Sequence, residues 1–137
     1  MPSEITTGYK ALVADARSRI TEIAAADALA LANDPKVVLV DIRDPRELKL
    51  EGRIPGSVHC PRGMLEFWID PDSPYFKPVF GEDKRFVFYC AGGLRSALAA
   101  DIAQKMGLAP VAHIVGGFGA WREAGGPVEE LPERPTA

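Results

Sequence analysis

Runs of apolar residues alternate along the chain with segments of helical periodicity. Two of the runs, Val37–Val40 and Phe86–Tyr89, are continuous and contain no charged residue, which is typical of strands covered on both faces of a parallel sheet. Shorter strands are predicted around 57–59 and over 112–115. Because helical segments separate these strands, their order predicts an α/β fold with an open, doubly wound sheet.

The helices are predicted from apolar periodicity and from residues that favour helix ends. Thr21 is expected to cap the second helix and Asp44 to cap the third. The predicted helices cover 7–18, 21–33, 46–50, 61–69 and 94–106, with a final short helix that carries Trp121. In the fifth helix, a row of apolar residues is expected to face the sheet. That row is Leu94, Leu98, Ile102 and Met106, joined by Ala99 and Ala103.

The composition is that of one compact globular domain. The chain has 137 residues, of which 47% are hydrophobic and 26% charged, with a formal net charge of −3, so a nucleic-acid partner is not expected. Two cysteines, Cys60 and Cys90, are too few for a disulfide framework. The start of the chain lacks a signal-peptide pattern, and no apolar run approaches the length of a membrane span. A cytoplasmic location without membrane contact is therefore predicted.

The most informative segment is the loop between the second long strand and the fifth helix. Cys90 is followed by Gly92 and Gly93, which allow successive amide groups to curve around one point. At the start of a helix these amide N–H groups lack intrahelical partners and, with the helix dipole, stabilise a negative charge. The cationic side chain of Arg95 adds to this effect. A Cys90 thiolate is therefore favoured, and Cys90 is predicted to be a nucleophile.

The spacing between Cys90 and Arg95 bears on the ligand. Four residues separate the two, whereas the loop of cysteine-dependent phosphatases places one more there to surround a tetrahedral phosphate. The shorter loop suits a single additional sulfur atom. A small cysteine-dependent phosphatase or an arsenate reductase is nevertheless kept as an alternative.

Three segments together resemble the rhodanese-like family. The segment Cys90–Ser96 resembles the active-site loop of that family, which runs Cys-x-x-Gly-x-Arg or Thr before a helix. The strand at 37–43, followed by Glu47 and by Gly52-Arg53-Ile54-Pro55-Gly56-Ser57, resembles the family's Asp-x-Arg…Glu…Gly-His-Ile-Pro-Gly-Ala signature. Residues 116–121 resemble its closing Gly-Gly-x-x-x-Trp element. The segments occur in the family's order, within residues 19–127.

The resemblance implies a rhodanese-like, mainly parallel sheet of about five short strands with helices on both faces. It covers residues 19–127 as one domain. It leaves residues 1–18 as an N-terminal extension that forms a short helix, and residues 128–137 as a flexible, acidic and proline-rich tail.

The resemblance also implies a single-domain sulfurtransferase in which Cys90 is catalytic and carries a persulfide. No metal and no organic cofactor is expected. The loop is expected to bind the substrate mainly through its backbone amides, and three further residues are expected to support the loop. The substrate-binding residues are Ala91, Gly92, Gly93, Leu94 and Arg95, and the supporting residues are Asp41, Arg43 and Ser96.

The expected sulfur donor is thiosulfate or a persulfide, and the expected acceptor is a thiol or cyanide, with a sulfur-relay protein as a further candidate partner. Ala91 stands directly after Cys90, where the best thiosulfate users of the family carry a charged or polar residue, so a persulfide donor is favoured. A non-catalytic module that senses sulfur or binds a partner is a further alternative. Cys60, His59 and His113 are interpreted as structural.

Overall fold

The computed structural model describes residues 1–132. The strands are β1 (Thr21–Ala24), β2 (Val37–Asp41), β3 (Val58–His59), β4 (Arg85–Tyr89) and β5 (Val111–Val115). The α-helices are α1 (Tyr9–Arg17), α2 (Ala25–Ala28), α3 (Pro45–Glu51), α4 (Leu65–Ile69), α5 (Leu94–Lys105) and α6 (Gly117–Glu123). Short 3-10 helices cover Leu29–Asn33, Arg62–Met64 and Pro78–Gly81. No helix in the described residues is long and apolar enough to cross a membrane.

The five strands form one parallel sheet in the order β1-β5-β4-β2-β3. Side chains of β2 and β4 alternate between two hydrophobic layers. On one face, Val40 and Phe88 pack with residues of α4 and α5. On the other face, Leu39 and Val87 pack with residues of α2 and α6. The predicted α/β class, with a parallel sheet of about five short strands and helices on both faces, is confirmed.

Residues Thr21–Ala24 form an edge strand, where the pattern predicted the start of a helix. The strand pairs with β5 along its whole length. Only Ile23 of its four residues is buried, so the alternation is too short to stand out against the alanines that follow. The prediction that Thr21 caps a helix is wrong, because pairing with β5 holds the backbone extended until Ala25. That pairing is a tertiary effect and outweighs local propensity.

Small side chains make up most of the buried face of α5, where larger ones were predicted. Leu94 is 51% exposed and Met106 is 38% exposed, so the two ends of the predicted row do not face the sheet. Alanine and serine at the contact allow the helix to lie close to the aromatic side chains of β4. The buried positions are Ser96, Ala97, Ala99, Ala100, Asp101 and Ala103.

The first helix packs against α5. Val13 and Ala16 are its buried residues, and the chain leaving it is held by Arg19. The Arg19 guanidinium donates hydrogen bonds to Asp101 at 2.8 Å and 2.9 Å and to Asp15 at 2.7 Å and 2.9 Å. The N-terminal segment is therefore fastened to the domain by apolar contact and by an ion-pair network.

The chain after α6 returns to the domain at Glu129. Glu129 and Arg53 form an antiparallel bridge, with N–H···O distances of 2.8 Å and 2.9 Å, and their side chains form an ion pair at 3.0 Å. Residues 133–137 of the predicted tail lie outside the described residues. The division of the chain into extension, domain and tail stays a prediction.

Asp101→Asn tests the attachment of the N-terminal segment. The hydrogen bond from Arg19 lowers the pKa of Asp101 from its ordinary value of 3.8 to about 2. A depressed carboxyl pKa stabilises the fold above the ordinary value, and this contribution is lost as the pH falls through the folded-state value. We therefore expect the variant to have a lower Tm than the wild type at neutral pH, with a difference that shrinks as the pH falls from about 4 towards 2.

Thermal unfolding followed by circular dichroism measures this difference. Asp83→Asn is the control, because Asp83 is exposed and has no ion pair among the contacts of residues 1–132. A Tm gap for Asp101→Asn that stays constant over the acidic range would contradict the assigned ion pair.

Candidate active site

Cys90 lies at the carboxyl end of β4, in the loop that leads into α5. Its side chain is buried, with the residue 1% exposed. The Cys90 Sγ accepts hydrogen bonds from the backbone N–H of Gly93, at 3.1 Å, and of Ser96, at 3.4 Å. Gly93 has a φ of +94°, in the left-handed region that glycine adopts without strain. This turn brings two amide donors of the loop and the helix start onto one sulfur atom.

Further donors are free at the start of α5. The N–H groups of Gly92, Leu94 and Arg95 donate to no acceptor within the part of the chain that the structure describes. Gly92 and Leu94 are exposed, and unpaired amides at a helix start attract anions. The arrangement fits the predicted amide-lined loop, with Ser96 as a second amide donor to the sulfur.

The start of α6 holds the loop from behind. The N–H of Phe118 donates to the Cys90 carbonyl at 2.8 Å, and the N–H of Gly119 donates to the Ala91 carbonyl at 3.1 Å. Gly117 makes this approach possible. It has a φ of +59°, and a Cβ atom there would lie 2.3 Å from the Cys90 carbonyl oxygen.

Arg95 forms a two-pronged ion pair with Glu47 of α3. Both guanidinium–carboxylate distances are 2.9 Å. The hydrogen bond from Arg95 is the main reason that the pKa of Glu47 falls to about 2. The same carboxylate accepts the backbone N–H of Asp44 at 2.8 Å. The Asp44 side chain in turn accepts the N–H of Arg46 at 2.9 Å, so Asp44 caps α3 as predicted. Arg95, the cation expected beside Cys90, is therefore paired with Glu47, a partner that the sequence did not indicate for it.

Asp41 and Arg43 form a buried ion pair at 2.7 Å, with both side chains fully buried. The Arg43 guanidinium also donates to the Gly52 carbonyl at 2.7 Å and lies 4.4 Å from the centre of the Phe118 ring. The Phe118 amide in turn binds the Cys90 carbonyl, so the pair contacts the residue of α6 that holds the loop. Its supporting role stays a prediction.

Comparison with known proteins identifies the family. Residues 24–124 match the model of the rhodanese-like domain. The chain belongs to the rhodanese-like domain family. The resemblance found in the sequence is thereby confirmed.

Two curated relatives carry sulfurtransferase names. A Mus musculus protein named thiosulfate sulfurtransferase/rhodanese-like domain-containing protein 3 is 31% identical over 66% of this chain, which spans only 61% of that protein. The thiosulfate:glutathione sulfurtransferase of Saccharomyces cerevisiae is 33% identical over 69% of this chain and 70% of its own length.

A solved structure from Rhodopseudomonas palustris is more similar. It is 66% identical, has a TM-score of 0.91, and covers 94% of this chain and 99% of its own. That protein is described as one of unknown function and a possible tyrosine phosphatase.

Behind the rhodanese-like loop, Ser96 connects Cys90 to His113, which the sequence indicated only as a structural residue, and through it to Glu22, which the sequence did not indicate. The Ser96 Oγ lies 3.6 Å from the Cys90 Sγ and 2.9 Å from the His113 Nδ1. The other ring nitrogen, Nε2, lies 2.9 Å from the Glu22 carboxylate, which also pairs with Arg17 at 2.9 Å. No sequence signal joins these residues, because they come from four separate elements.

The remaining cysteine is unlike Cys90. Burial raises the pKa of the Cys60 thiol to about 12, which keeps it protonated. His59 binds the Arg43 carbonyl through Nε2 at 2.7 Å. Both observations agree with the structural roles predicted for Cys60 and His59.

No group of three potential metal ligands occurs within residues 1–132.

Gly117→Ala tests the contact between α6 and the loop. A methyl group must displace the Cys90 carbonyl and occupy a left-handed backbone, so we expect unfolding free energy to fall by about 2 kcal/mol or more. Gly119→Ala is the matched control in the same helix. Its Cβ would meet the Ala91 carbonyl at an ordinary 3.6 Å, and alanine favours a helix over glycine by up to about 1 kcal/mol.

Urea unfolding of both variants measures the difference. Equal stability of the Gly117 and Gly119 variants would contradict the close approach of the two segments.

Proposed function

We propose that this protein transfers a sulfane sulfur through a persulfide on Cys90. The observation that carries the proposal is the convergence of the Gly93 and Ser96 amides on the Cys90 sulfur. Amides aimed at a sulfur stabilise its anionic form. They also remain in place to stabilise the terminal sulfur of a persulfide. The sulfurtransferase names of the relatives support the same chemistry.

In the first half of the reaction, the Cys90 thiolate attacks the outer sulfur of the donor. A sulfur–sulfur bond to Cys90 forms, and the bond within the donor breaks with its electron pair on the leaving group. Thiosulfate would leave sulfite, and a persulfide would leave a thiolate. The unpaired amides of Gly92, Leu94 and Arg95 are the groups available to stabilise that anion.

In the second half, an acceptor attacks the outer sulfur of the Cys90 persulfide. A thiolate acceptor becomes a persulfide and cyanide becomes thiocyanate, while Cys90 departs as a thiolate. The amides of Gly93 and Ser96 then stabilise the sulfur of Cys90 as leaving group. The two half-reactions together make a ping-pong cycle.

The charge of the site favours a persulfide over thiosulfate as donor. Thiosulfate carries two negative charges, and the only cation of the loop, Arg95, is paired with Glu47. Ala91 adds no charge to the loop. The persulfide group itself carries at most one negative charge and so depends less on an unpaired cation.

A phosphatase is the second candidate, because the 66% identical structure is described as a possible tyrosine phosphatase. Such an enzyme would need the loop to surround a phosphate and Arg95 to bind two of its oxygens. Four residues separate Cys90 from Arg95, and Glu47 occupies both outer nitrogens of the guanidinium. These two features favour sulfur transfer.

Intact-mass measurement after incubation with thiosulfate, or with glutathione persulfide, tests the proposal. We expect a gain of one sulfur atom that cyanide removes, in the wild type and in Cys60→Ala but not in Cys90→Ser. The persulfide donor is expected to react faster. The Cys60 variant is the matched control, since that thiol is buried and protonated.

Each other outcome has a distinct meaning. Hydrolysis of para-nitrophenyl phosphate without any sulfur gain would favour the phosphatase. If a folded protein shows neither sulfur gain nor phosphate ester hydrolysis, that result would favour a non-catalytic module that binds a partner.

Glu47→Gln tests whether the ion pair sets donor preference. Glutamine can still accept the Asp44 amide and cap α3, but it leaves the Arg95 charge unmatched. We expect the ratio of kcat/KM for thiosulfate to that for the persulfide to rise about fivefold, which corresponds to about 1 kcal/mol of attraction. Glu82→Gln, at the opposite end of β4 from Cys90, is the control. An unchanged ratio would contradict the role assigned to Glu47.

A further inference from the structure

A chain of hydrogen bonds runs from Cys90 through Ser96 and His113 to Glu22. The ionisation states of His113 and Glu22 determine which atom donates each bond. Burial lowers the pKa of His113, so its imidazole is neutral at neutral pH and carries one N–H. Glu22 can only accept a hydrogen bond when ionised. For this carboxylate, burial acts to raise the pKa, but hydrogen bonds from His113 and Arg17 outweigh it and lower the pKa. The imidazole N–H is therefore on Nε2, facing Glu22.

This assignment determines the remaining donors. The Nδ1 atom carries no proton and accepts the hydroxyl of Ser96 at 2.9 Å. The Ser96 oxygen is then free to accept the thiol of Cys90 at 3.6 Å. A continuous path runs from the S–H group through a hydroxyl to a vacant imidazole nitrogen, and each member donates to the next.

We propose that Ser96 and His113 take up the proton of the Cys90 thiol when the sulfur acts as a nucleophile, with Glu22 holding the imidazole in the tautomer that can accept it. The proposal rests on the proposed function for its purpose, but it concerns the thiol itself. Ser96 contacts the reacting sulfur, whereas His113 and Glu22 act through it and are positioning residues.

The proton transfer balances without an outside reagent. The thiol proton passes to the Ser96 oxygen as the hydroxyl proton of Ser96 passes to His113 Nδ1. The products are a Cys90 thiolate, an unchanged serine and an imidazolium that faces the Glu22 carboxylate. When Cys90 later leaves its persulfide as a thiolate, the same steps in reverse restore the thiol.

The surroundings of His113 support this role. His113 is 1% exposed and Ser96 is fully buried, so water does not compete for their hydrogen bonds. The charged groups that face the ring within the described residues are Glu22 of β1 and, beyond it, Arg17 of α1. An imidazolium formed at His113 would already have the Glu22 carboxylate as its ion-pair partner.

The path also has an outlet. Glu22 and His113 line a cleft of about 270 Å³, together with Arg17 of α1 and the glycines of the cysteine loop. The Glu22 side chain is 27% exposed, so a proton held on His113 can exchange with solvent there. Glu22 and Arg17 precede the residues matched by the family model, 24–124, so the N-terminal segment would contribute to the chemistry of the loop.

Alkylation of Cys90 by iodoacetamide over a range of pH, followed by peptide mass, tests the path without a sulfur substrate. His113→Asn is the main variant, since an asparagine amide oxygen can accept the Ser96 hydroxyl but cannot take up a proton. Ser96→Ala removes the link. His59→Asn is the matched control, because His59 bonds the Arg43 carbonyl. We expect His113→Asn and Ser96→Ala to react at least about tenfold more slowly than the wild type at pH 7.

The pH profile distinguishes proton transfer from a structural role. We expect the slow variants to approach the wild-type rate at alkaline pH, where hydroxide removes the proton. A profile of His113→Asn equal to that of the wild type would overturn the proposal. So would a rate that stays low at alkaline pH, because that result indicates damage to the loop.

Nitrogen-15 NMR of labelled histidine in the wild type gives a second measurement that does not depend on a folded variant. We expect a neutral His113 ring with its proton on Nε2, and a change in its Nδ1 signal when Cys90 is alkylated. A proton on Nδ1, or no response to alkylation, would overturn the path. Persulfide formation is measured separately by intact mass, so a failed path and a failed sulfur transfer are distinguishable.

Discussion

Two hydrogen bonds from α6 to the carbonyls of Cys90 and Ala91 fix the cysteine loop, and the site depends on them. With these two carbonyls held from behind, the turn at Gly93 brings the amides of Gly93 and Ser96 onto the sulfur. The contact requires that Gly117 have no side chain, because any Cβ atom would overlap the Cys90 carbonyl. Gly116 and Gly117 are distant from Cys90 in the sequence, yet the close packing of the cysteine loop depends on them.

The buried pair of Asp41 and Arg43 extends this support. A fully buried ion pair is costly to desolvate and lasts only when its remaining hydrogen-bond groups are satisfied. Arg43 meets that condition through the Gly52 carbonyl and the Glu51 carboxylate, and its guanidinium also lies over the Phe118 ring. It thereby connects the end of β2, the end of α3 and the start of α6, so that three segments converge beneath one loop.

Two carboxylates bind the polar neighbours of Cys90, Glu47 at Arg95 and Glu22 at His113. Glu47 pairs with the Arg95 guanidinium and partly offsets its charge, so that amide dipoles are a second source of positive potential at the sulfur. Glu22 directs the tautomer of His113, which leaves an acceptor facing Ser96. Neither carboxylate touches the sulfur. Glu47 acts by pairing with Arg95, and Glu22 acts by accepting a hydrogen bond from His113.

The sequence by itself determined the class of fold and the residue that we propose as the nucleophile. Continuous apolar strands and a cysteine before a glycine pair and a helix are local patterns, and local chemistry is enough to interpret them. Three features needed the tertiary structure: the strand at Thr21–Ala24, the pairing of Arg95, and the path to His113. Each is formed by groups distant in sequence, which the order of the strands brings together: β1 pairs with β5 only at the sheet edge, and the residues around His113 meet only because α1 and α5 pack beside that edge. Residue types in a sequence state which bonds are chemically allowed, and only the packed chain decides which partners are near enough to form them.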